Sequence, residues 1–404
     1  MKTFQLYTLL AFLSFNVLSA FSQNKEWKCI DEKGEVAFTI EARSVSEYSN
    51  DLAKIKDHQI INTQWETSHG YVNKVGEIVI PTIYDKAYDF VADVTWVKKK
   101  DSIYYTLIDK TGKTVPTKKY NKVGRFYKGI PGVSEGICAV YEKDKLGFID
   151  VTGKEVIPCK YLGSTTFHDG LVCLTLYHEK DEKYGFLDET GKVVIPFQYK
   201  QAGPSNFKNG ECRVSVDGKI AIINKKGEVI FKTQYYSLQN FNFGLAPVCT
   251  KSNRTGWGFV DKNDKWVVQP DYDNATPFND DGFAIIEKKN LKGAIDSTGK
   301  IVLPLKYETI YIEPTKDGRI CAVLPSKQEV SMYNAEKEYY DKDLNPISLD
   351  NVLFLSGAEG EKLMMYTSSN KKIGYMNRNF EIVIPAKYRK ANPFSEGLAW
   401  VREK

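Results

Sequence analysis

One twelve-residue pattern returns along this chain and constrains its fold more than any other feature of the sequence. Its clearest copy, Gly147 to Pro158, is GFIDVTGKEVIP, and it recurs from Gly185 to Pro196 as GFLDETGKVVIP. Further copies run from Gly70 to Pro81, Gly258 to Pro270, Gly293 to Pro304 and Gly374 to Pro385, with weaker ones centred on Gly34, Gly112, Gly227 and Asn345. Ten units follow one another at spacings of 35 to 46 residues. Units of this size cannot bury an apolar face alone, so they must stack on their neighbours.

Each unit carries the pattern of short antiparallel strands. Apolar residues alternate or form β-branched runs on both sides of a Gly-containing turn, which is typical of a β-hairpin. A further strand follows Phe-x-x-Gly, as in Phe394 to Val401, and the 13% aromatic content also favours strands. The sequence predicts an all-β fold of about ten antiparallel β-meanders of 35 to 42 residues, stacked as a propeller-like ring or an open superhelical array. Single rings usually carry about four to eight blades, so ten units favour an open array, or a ring with extra units.

Two segments depart from the regular pattern. Ser44 to Asp57 has the local signature of a helix, because Ser44 and Glu47 are spaced as in a capping box. Tyr48 to Ile55 nevertheless aligns with Phe394 to Val401, so the repeat predicts a strand there. The predicted organisation is a signal peptide over 1–22, eight repeat units over 23–310, a degenerate unit with an insertion over 311–372, and a final unit over 373–404.

The combined motif resembles a known family. The pattern Gly-Phe-(Ile/Val/Leu)-Asp-x-x-Gly-Lys-x-Val-Ile-Pro-x-x-Tyr, with Phe-x-x-Gly-Leu-Ala-x-Val behind it, is similar to the WG-repeat family of bacterial proteins. The Trp-Gly pair that names the family occurs once, as Trp257-Gly258, and the tryptophan position is otherwise taken by His69, Leu146, Tyr184, Lys292 and Ile373. The resemblance implies an all-β repeat fold, usually on exported or surface-associated proteins, and it implies no particular activity.

The first residues have the layout of an export signal. Lys2 gives a positive start, a mostly apolar run extends from Phe4 to Phe21, and Ala20 and Ser22 are the small residues of a cleavage site. A membrane anchor is the alternative, but polar residues interrupt the run and it ends in the cleavage site. We expect a mature protein outside the cytoplasm, in the periplasm, at the cell surface or secreted, with no membrane insertion after cleavage.

Seven cysteines have to be interpreted in that oxidising setting. Because seven is an odd number, at least one cysteine has no disulfide partner within the chain. The sequence also contains no CxxC and no Cys/His cluster with metal spacing. Cys138 and Cys212 fall where other units place Val172, Ala246 or Ala284, so the slot takes small apolar residues. The sequence therefore predicts buried thiols that pack as small hydrophobes, with at least five of the seven unpaired.

Nine of the ten units carry Asp or Asn three residues before the turn position. The amide that replaces the carboxylate in several units cannot act as a general base, whereas both side chains can accept a backbone N–H and fix a turn. The acids that precede glycines, Glu135, Asp169, Asp281 and Glu396, fit turn positions in the same way. We therefore predict no catalytic residue, no metal site and no cofactor.

A tyrosine stands eight residues after the turn position in eight units: Tyr84, Tyr120, Tyr161, Tyr199, Tyr235, Tyr272, Tyr307 and Tyr388. These rings could form a stacking surface for sugars. A residue that recurs in almost every unit is more simply explained as core, with the ring packed between units and the hydroxyl bonded to the backbone. We predict the second arrangement.

The sequence favours a binding scaffold over an enzyme. The formal net charge is only +5, with the two signs interspersed, so nothing marks the chain for nucleic acid. We expect a non-enzymatic exported scaffold that binds an envelope or surface protein, or a cell-wall or extracellular glycan. The aromatic residues predicted to line its binding surface are Trp96, Trp266, Trp400, Tyr339 and Tyr340. The alternatives are a carboxylate-dependent envelope glycan hydrolase and a purely structural spacer.

Overall fold

The structure is a computed structural model of the 404-residue chain. It describes residues 24–61, 64–124, 133–164, 166–176, 183–200, 207–233, 235–253, 255–312, 320–325, 336–341, 344–347, 352–356 and 361–403. These ranges contain β-strands and turns but no α-helix, so the predicted all-β class is confirmed. No helix able to cross a membrane occurs among them. The predicted signal peptide lies outside the described residues.

The chain divides into two compact bodies, which we describe separately. The first comprises residues 1–121, 129–131 and 361–404, and the second comprises 122–128 and 132–360. The strands of the first body are β1 (Lys25–Ile30), β2 (Val36–Ala42), β3 (Ser44–Ser49), β4 (Leu52–Ile61), β5 (Gln64–Asn73), β6 (Ile78–Tyr84), β7 (Lys86–Ala87), β8 (Val94–Lys98), β9 (Thr106–Asp109), β34 (Leu363–Ser368), β35 (Ile373–Asn377), β36 (Ile382–Tyr388), β37 (Lys390–Ala391) and β38 (Ala399–Arg402).

The second body holds the strands between these two groups. They are β10 (Lys122–Val123), β11 (Val133–Ser134), β12 (Ile137–Glu142), β13 (Lys145–Asp150), β14 (Glu155–Gly163), β15 (Leu171–Leu176), β16 (Tyr184–Asp188), β17 (Val193–Tyr199), β18 (Glu211–Val216), β19 (Lys219–Asn224), β20 (Val229–Lys232), β21 (Ser237–Leu238), β22 (Leu245–Cys249), β23 (Trp257–Asp261), β24 (Trp266–Tyr272), β25 (Asn274–Ala275), β26 (Phe283–Lys288), β27 (Leu291–Asp296), β28 (Ile301–Tyr307), β29 (Thr309–Ile312), β30 (Ile320–Val323), β31 (Lys337–Tyr340), β32 (Pro346–Ile347) and β33 (Val352–Ser356).

The regular meander has four antiparallel strands, which we call a, b, c and d in chain order. In the β21–β24 sheet a is β21, b is β22, c is β23 and d is β24. A two-residue turn, the tight turn, leads into b, and the Asx turn joins c to d. The sequence pattern begins at c, so each sequence unit supplies c and d of one sheet and then a and b of the next.

This offset has a consequence in the first body. Strands β1 and β2 are a c–d pair, and β37 and β38 are an a–b pair, and the four form one sheet. Lys28 pairs with Val401, Cys29 with Trp400 and Ile30 with Ala399. The first and last described strands therefore meet within one sheet.

Both irregular segments are strands, as the repeat predicts. Ser44 to Asp57 forms β3 and most of β4, not a helix, because its alternate residues Val45, Tyr48, Ala53 and Ile55 are buried in one cluster. The degenerate unit over 311–372 still contains the β29–β32 meander, although much of that range lies outside the described residues. Its turn residue is Leu344 and not Asn345 as the spacing suggested, since Leu344 has the positive φ of +65°.

The recurrent tyrosines are core residues in six of the eight units. Tyr84, Tyr120, Tyr161, Tyr199, Tyr307 and Tyr388 are buried, whereas Tyr235 and Tyr272 are half-buried. Tyr199 shows the predicted arrangement, because it packs with Ile195 of its own meander and with Phe207 and Cys212 of the next. Its hydroxyl donates to the carbonyl oxygen of Gly227 over 3.4 Å. Tyr307 differs, because its hydroxyl contacts side chains of the following meander.

The glycine that begins the repeat motif is explained by a bulge in strand d. In the second body Lys292 pairs with Tyr307 and Ala294 with Leu303, so four residues of d span two residues of c. The bulge brings the backbone of d against Gly293, where an added β-carbon would lie 2.6 Å from the Leu303 oxygen. The glycines at equivalent bulges have a contact of 2.5 to 2.8 Å with a d-strand carbonyl: Gly70, Gly147, Gly185, Gly258 and Gly374. Only glycine fits there without displacing the backbone.

One meander lacks both the glycine and the bulge, which supports this explanation. In the β18–β20 sheet the glycine is replaced by Ala221 and the proline by Lys232. Ala221 pairs with Lys232 and Ile222 with Phe231, without a bulge between them. In five other units a proline follows the bulged pair directly and lies exposed on strand d: Pro81, Pro158, Pro196, Pro304 and Pro385. Proline lacks an N–H, so where strand d is the edge of its sheet it presents no backbone donor at this point to another chain.

The cysteines pack as the sequence predicts. All seven lie in described ranges and are thiols, five of them buried and two half-buried. Burial raises the pKa of Cys173 and of Cys212 to about 12, so both remain protonated and unreactive in the folded state.

Thiol titration tests this arrangement. In denaturant without reductant we expect seven reactive thiols per chain, and in buffer far fewer, since five are buried. Blocking with iodoacetamide before unfolding is the control for oxidation during handling. Loss of four or more thiols in the unfolded sample would show two or more disulfides and contradict the arrangement.

Candidate binding site

The Asp and Asn residues before the turn position build the Asx turns. Asp296 is typical, because its Oδ1 accepts the N–H groups of Thr298 (2.9 Å) and Lys300 (3.1 Å) and the Thr298 hydroxyl (2.6 Å). The hydroxyl bond, joined by the two N–H groups, outweighs burial and lowers the pKa of Asp296. The same pair of N–H bonds occurs at Asp31, Asn73, Asp109, Asp150, Asp188, Asn224, Asp261 and Asn377. Their predicted role in the turns is confirmed.

The degenerate unit has an Asx turn too, which the spacing had missed. Asp341 accepts the N–H of Asn345 over 2.8 Å, and the N–H of Leu344 bonds to the Asp341 carbonyl oxygen. Every unit therefore has this turn. Among the described residues, no group of three or more His, Cys, Asp or Glu side chains is placed to hold a metal ion.

Side chains at the tight turns, which lie between strands a and b, form hydrogen bonds to the next meander. Both central residues have positive φ, as in a type I′ turn, and the first of them is often polar. In the second body Glu135 accepts the N–H of Gly170 (2.9 Å), and Asp169 accepts that of Gly210 (2.7 Å). In the first body Glu396 accepts the N–H of Asp51 over 3.0 Å. These acids are turn residues, as predicted, and they also bridge neighbouring meanders.

Phe243 interrupts this series in the second body. It occupies the turn position of Glu135 and Asp169, with φ of +50° and 51% of its surface exposed. A bulky residue with positive φ is strained, and strain of this kind collects at functional sites. The ring does not supply an acceptor and instead approaches Gly282 of the next turn. The repeat symmetry is therefore broken here at a conformational cost.

A cavity of about 260 Å³ adjoins this turn. Its lining combines two cations, four amides, two phenylalanines and a proline: Lys208, Arg213, Asn209, Gln239, Asn240, Asn242, Phe241, Phe278 and Pro277. Phe241 and Phe278 are buried, so they form a fixed apolar wall. Gln239 and Asn242 donate to the carbonyl oxygens of Ala275 (3.3 Å) and Phe278 (2.7 Å), which orients their amide groups. The cavity is thus a preformed polar site with an apolar wall.

Arg213 is the most unusual residue of this lining. At its position on strand b, most other units have an apolar residue, as at Trp96, Ala139, Cys173, Pro247, Ile285, Met365 and Trp400. Arg213 is half-buried, and its Nη1 donates to the carbonyl oxygen of Leu238 over 2.9 Å. The backbone thus holds a cation at a position that is apolar in most units.

The predicted binding aromatics do not form this site. Trp96 (1% exposed) and Trp400 (0%) are buried, so the prediction that they are exposed is wrong. Trp400 packs between Phe38 and Tyr48, and Trp96 packs against Tyr120, because both project from strand b into the core. Surface aromatics cannot be told from core aromatics by residue type alone.

The other three predicted aromatics are half-buried. Trp266 packs edge-on against Tyr235, 5.4 Å between ring centroids. Tyr339 and Tyr340 lie on β31, and the Tyr340 hydroxyl donates to Glu338 over 2.6 Å. Hydrogen bonds from Lys306, then Tyr307 and Tyr340, lower the pKa of Glu338 to about 2. This cluster holds the degenerate meander to its predecessor, and these residues lie outside the cavity lining.

Sequence reasoning missed Arg213, Asn240 and Phe243, although the repeat contained the signal. Arg213 and Phe243 depart from the residue type at their repeat positions, and comparison of the units position by position would have found these two, whereas Asn240 has the same residue type as Asn206 of the preceding unit. As a sign of a binding site, aromatic residue type was a weaker criterion than departure from the repeat.

The strain at Phe243 leads to a prediction. Phe243→Asn introduces the residue type of Asn50 and Asn209 at their tight turns, and asparagine tolerates positive φ. We expect the free energy of unfolding to rise by about 1 kcal/mol in urea denaturation. Phe243→Leu keeps a bulky side chain at the same φ and is the matched control, expected to bring no gain. Equal stability of Phe243→Asn and wild type would show that the turn is unstrained.

These observations define the class of protein. The described residues form four meanders in the first body and six in the second, built from one sequence unit, so the chain is an all-β tandem-repeat protein. The sequence profile of the WG containing repeat matches residues 70–101, 105–145, 147–173, 184–219, 221–253, 257–291, 293–323 and 373–404. The chain belongs to the WG-repeat family, as its motif predicted.

Comparison with other proteins adds only general likenesses. No curated protein matches the chain. Among solved structures, one titled as the eukaryotic initiation factor is 10% identical, covering 89% of this chain and 95% of that one, with a TM-score of 0.45. Hsv2p of Kluyveromyces lactis is 10% identical over 65% and 94% (TM-score 0.34), and the tricorn protease 12% over 84% and 43% (TM-score 0.31). The function is therefore argued from the chain's own residues.

Proposed function

We propose that this WG-repeat scaffold is an exported, non-enzymatic protein that binds a glycan of the cell envelope in the cavity beside Arg213. The observation that carries the proposal is the local break in repeat symmetry. Residues that every unit shares build the fold, whereas Arg213 lines the cavity and Phe243 adjoins it, and both differ from the residues at their positions in most other units. Amides and a guanidinium beside a fixed phenylalanine wall suit a ligand with hydroxyl groups and an apolar face.

The chemistry of the lining supports binding rather than hydrolysis. A glycoside hydrolase needs two carboxyl groups about 5–9.5 Å apart on either side of the scissile bond. The described lining residues supply amides and cations at the cavity. Glu211, which lies between the lining residues Asn209 and Arg213, pairs with Lys262, and Asp169 bonds to the N–H of Gly210 in the adjoining turn.

Retention on envelope material tests the proposal. The mature protein from Gln23 onward is incubated with cell-wall and capsular polysaccharide from the source cell, and separately crosslinked in the envelope fraction. We expect saturable retention on polysaccharide that Arg213→Ala reduces at least tenfold. Lys219→Ala, which removes an exposed cation from the same hairpin, is the matched control and should bind as wild type does.

Three results would contradict the proposal. One dominant, saturable protein partner without polysaccharide retention would identify a protein scaffold. Release of soluble sugar by the wild-type protein would identify an enzyme. If Arg213→Ala is retained as well as the wild-type protein, the binding site lies outside the cavity.

A further inference from the structure

Positive charge is concentrated at one end of the sheets in the first body, where strand b passes into c and strand d passes into the next a. Eight charged residues lie there in the β7–β9 meander, and six of them, which we call the lysine cluster, are lysines: Lys86, Lys98, Lys99, Lys100, Lys118 and Lys119, with Asp85 and Asp101. Lys86 pairs with Lys98 across strands a and b, and the Tyr105 N–H donates to the Tyr120 carbonyl oxygen over 2.9 Å, which brings the two lysine-rich segments together. Asp85 lies 3.8 Å from the Lys98 ammonium, so the acids offset only part of the charge.

The neighbouring meanders continue this positive charge. The position of Lys98 at the end of strand b is taken by Lys56 in the preceding meander and by Arg402 in the one before that. The hydroxyls of Ser395 and Ser49 each donate to a carbonyl oxygen of the following meander, so the three meanders lie side by side. In the second body the same position holds neutral or acidic residues: Tyr141, Thr175, Ser215, Cys249, Glu287 and Val323. A row of cations at this position is therefore particular to the first body.

An exposed isoleucine lies within the lysine cluster. It belongs to the b–c loop of the β7–β9 meander, which we call the Ile103 loop (99–104). The Ser102 N–H donates to the Lys99 carbonyl oxygen over 3.1 Å, and the Ser102 hydroxyl donates to that of Tyr104 over 2.8 Å. Ile103 is 69% exposed and Tyr104 is 37% exposed. These hydrogen bonds fix a loop that presents an apolar residue and an aromatic residue among cations.

The adjoining hairpin adds apolar residues at the same end of the sheets. Strands β4 and β5 have ten residues each, against five and four in β8 and β9. Their outermost described pairs are Ile61 with Gln64 and Ile60 with Trp65. In the second body the two-residue b–c turns are polar: Lys143-Asp144, Asp217-Gly218 and Lys289-Asn290. The first body thus combines cations with apolar residues where these turns have only polar residues and glycine.

We infer that this end of the first body binds the surface of an anionic phospholipid bilayer. Negative headgroups attract the lysine cluster, and each lysine near such a surface raises the affinity severalfold. Ile103 enters the boundary between headgroups and acyl chains, and Tyr104 lies at the level of the headgroups, where amphipathic rings are favoured. The contact is peripheral. It is independent of the proposed glycan site, which lies in the second body.

The apolar residues favour a bilayer over a polyanion in solution. A dissolved polyanion neutralises lysines but offers no apolar phase to Ile103, so an exposed isoleucine adds nothing to its binding. A bilayer uses both features, because adsorption strength grows with the apolar area buried and with the attraction to anionic lipids. The two kinds of residue occur together on one short, hydrogen-bonded loop.

Sedimentation with lipid vesicles tests the inference. The mature chain from Gln23 onward is mixed with vesicles of phosphatidylglycerol and phosphatidylcholine in equal amounts, or of phosphatidylcholine alone. We expect saturable binding to the anionic vesicles and at least tenfold weaker binding to the neutral ones. Salt at about 0.5 M shortens the range of the attraction and should reduce binding to the anionic vesicles at least tenfold.

Two variants with matched controls separate the charge from the apolar contact. Ile103→Asn should weaken vesicle binding at least fivefold. Val75→Asn is its control, since Val75 is also 69% exposed but lies in an Asx turn at the opposite end of strand c. The double variant Lys99→Ala/Lys119→Ala should weaken binding at least tenfold.

The control for the lysine variant is Lys33→Ala/Lys113→Ala, which removes two exposed lysines at Asx turns of the same body and should bind as wild type does. All of the substituted residues are exposed, so the variants are expected to fold, and a circular dichroism melt of each checks this. Arg213→Ala should also bind vesicles fully, because the glycan site and this surface are independent.

Three results would overturn the inference. Equal binding to the two kinds of vesicle, or full binding by Lys99→Ala/Lys119→Ala, excludes attachment through the lysine cluster. Full binding by Ile103→Asn excludes the contact with the bilayer interior. Binding of dissolved dextran sulfate that depends on Lys99 and Lys119, without binding to vesicles, assigns a soluble polyanion instead.

Discussion

Replacing Tyr199 by alanine is expected to lower the free energy of unfolding by about 3–5 kcal/mol, the usual cost of deleting a buried aromatic ring. Tyr199 is 5% exposed and packs with Phe186 and Ile195 of its own meander and with Phe207 and Cys212 of the next. Its removal opens a cavity at a junction between two meanders, where neither can collapse without shifting the other. Urea denaturation followed by tryptophan fluorescence measures the loss.

Two controls separate the ring from its hydroxyl and from surface effects. Tyr199→Phe removes the hydroxyl with its bonds to the Gly227 carbonyl oxygen (3.4 Å) and the Gln198 side chain, and it should cost about 1 kcal/mol. Tyr236→Ala truncates a tyrosine that is 63% exposed, and we expect a change within about 0.5 kcal/mol. An unchanged midpoint for Tyr199→Ala would show that the recurrent tyrosine is not a core residue.

Adding one methyl group at Gly293 is expected to destabilise the protein by about 2–3 kcal/mol. In Gly293→Ala the new β-carbon lies 2.6 Å from the Leu303 oxygen and 3.0 Å from the Leu305 nitrogen and the Pro304 carbonyl carbon. These are backbone atoms of the bulge, which cannot rotate away as a side chain would. Strand β28 must therefore shift and lose pairing with β27. Urea denaturation measures the effect.

Gly136→Ala is the matched control for this prediction. Gly136 has φ of +79° and no atom within 4 Å of an added β-carbon, so alanine there meets backbone strain without a clash. We expect a loss of about 1 kcal/mol for this variant. If Gly293→Ala costs no more than Gly136→Ala, the close approach of strand d does not explain the glycine of the repeat.

The sequence was most informative where one repeat unit could be compared with another. Alignment with Phe394 to Val401 correctly assigned Ser44 to Asp57 to strands, although local propensity favours a helix, because Val45 and Tyr48 are needed in a shared core. The same comparison identified the Asx turns, whose hydrogen bonds are formed within five residues. Local interactions of this kind leave their mark directly on the sequence.

The candidate site could not be found by the criterion used for it. Aromatic residue type does not identify surface anchors here, because Trp96 and Trp400 project into the core from strand b and their exposure depends on the neighbouring meander. Arg213 stands on a strand where a charged residue has no distinctive local pattern. Its place in a cavity is seen only together with residues such as Asn240, which lies 27 positions further along the chain and lines the same cavity.

By itself the sequence determined the all-β class, the length of the unit, its turns and its tyrosine core, because all of these depend on residues within one unit or at the same place in the next. Only the tertiary structure decided that a sequence unit is divided between two sheets, and that β1 and β38 complete one sheet although about 370 residues separate them. It also decided which side chains face the cavity beside Arg213. Strand pairing and cavity lining depend on contacts between units, and the order of residues within a repeat does not specify those contacts.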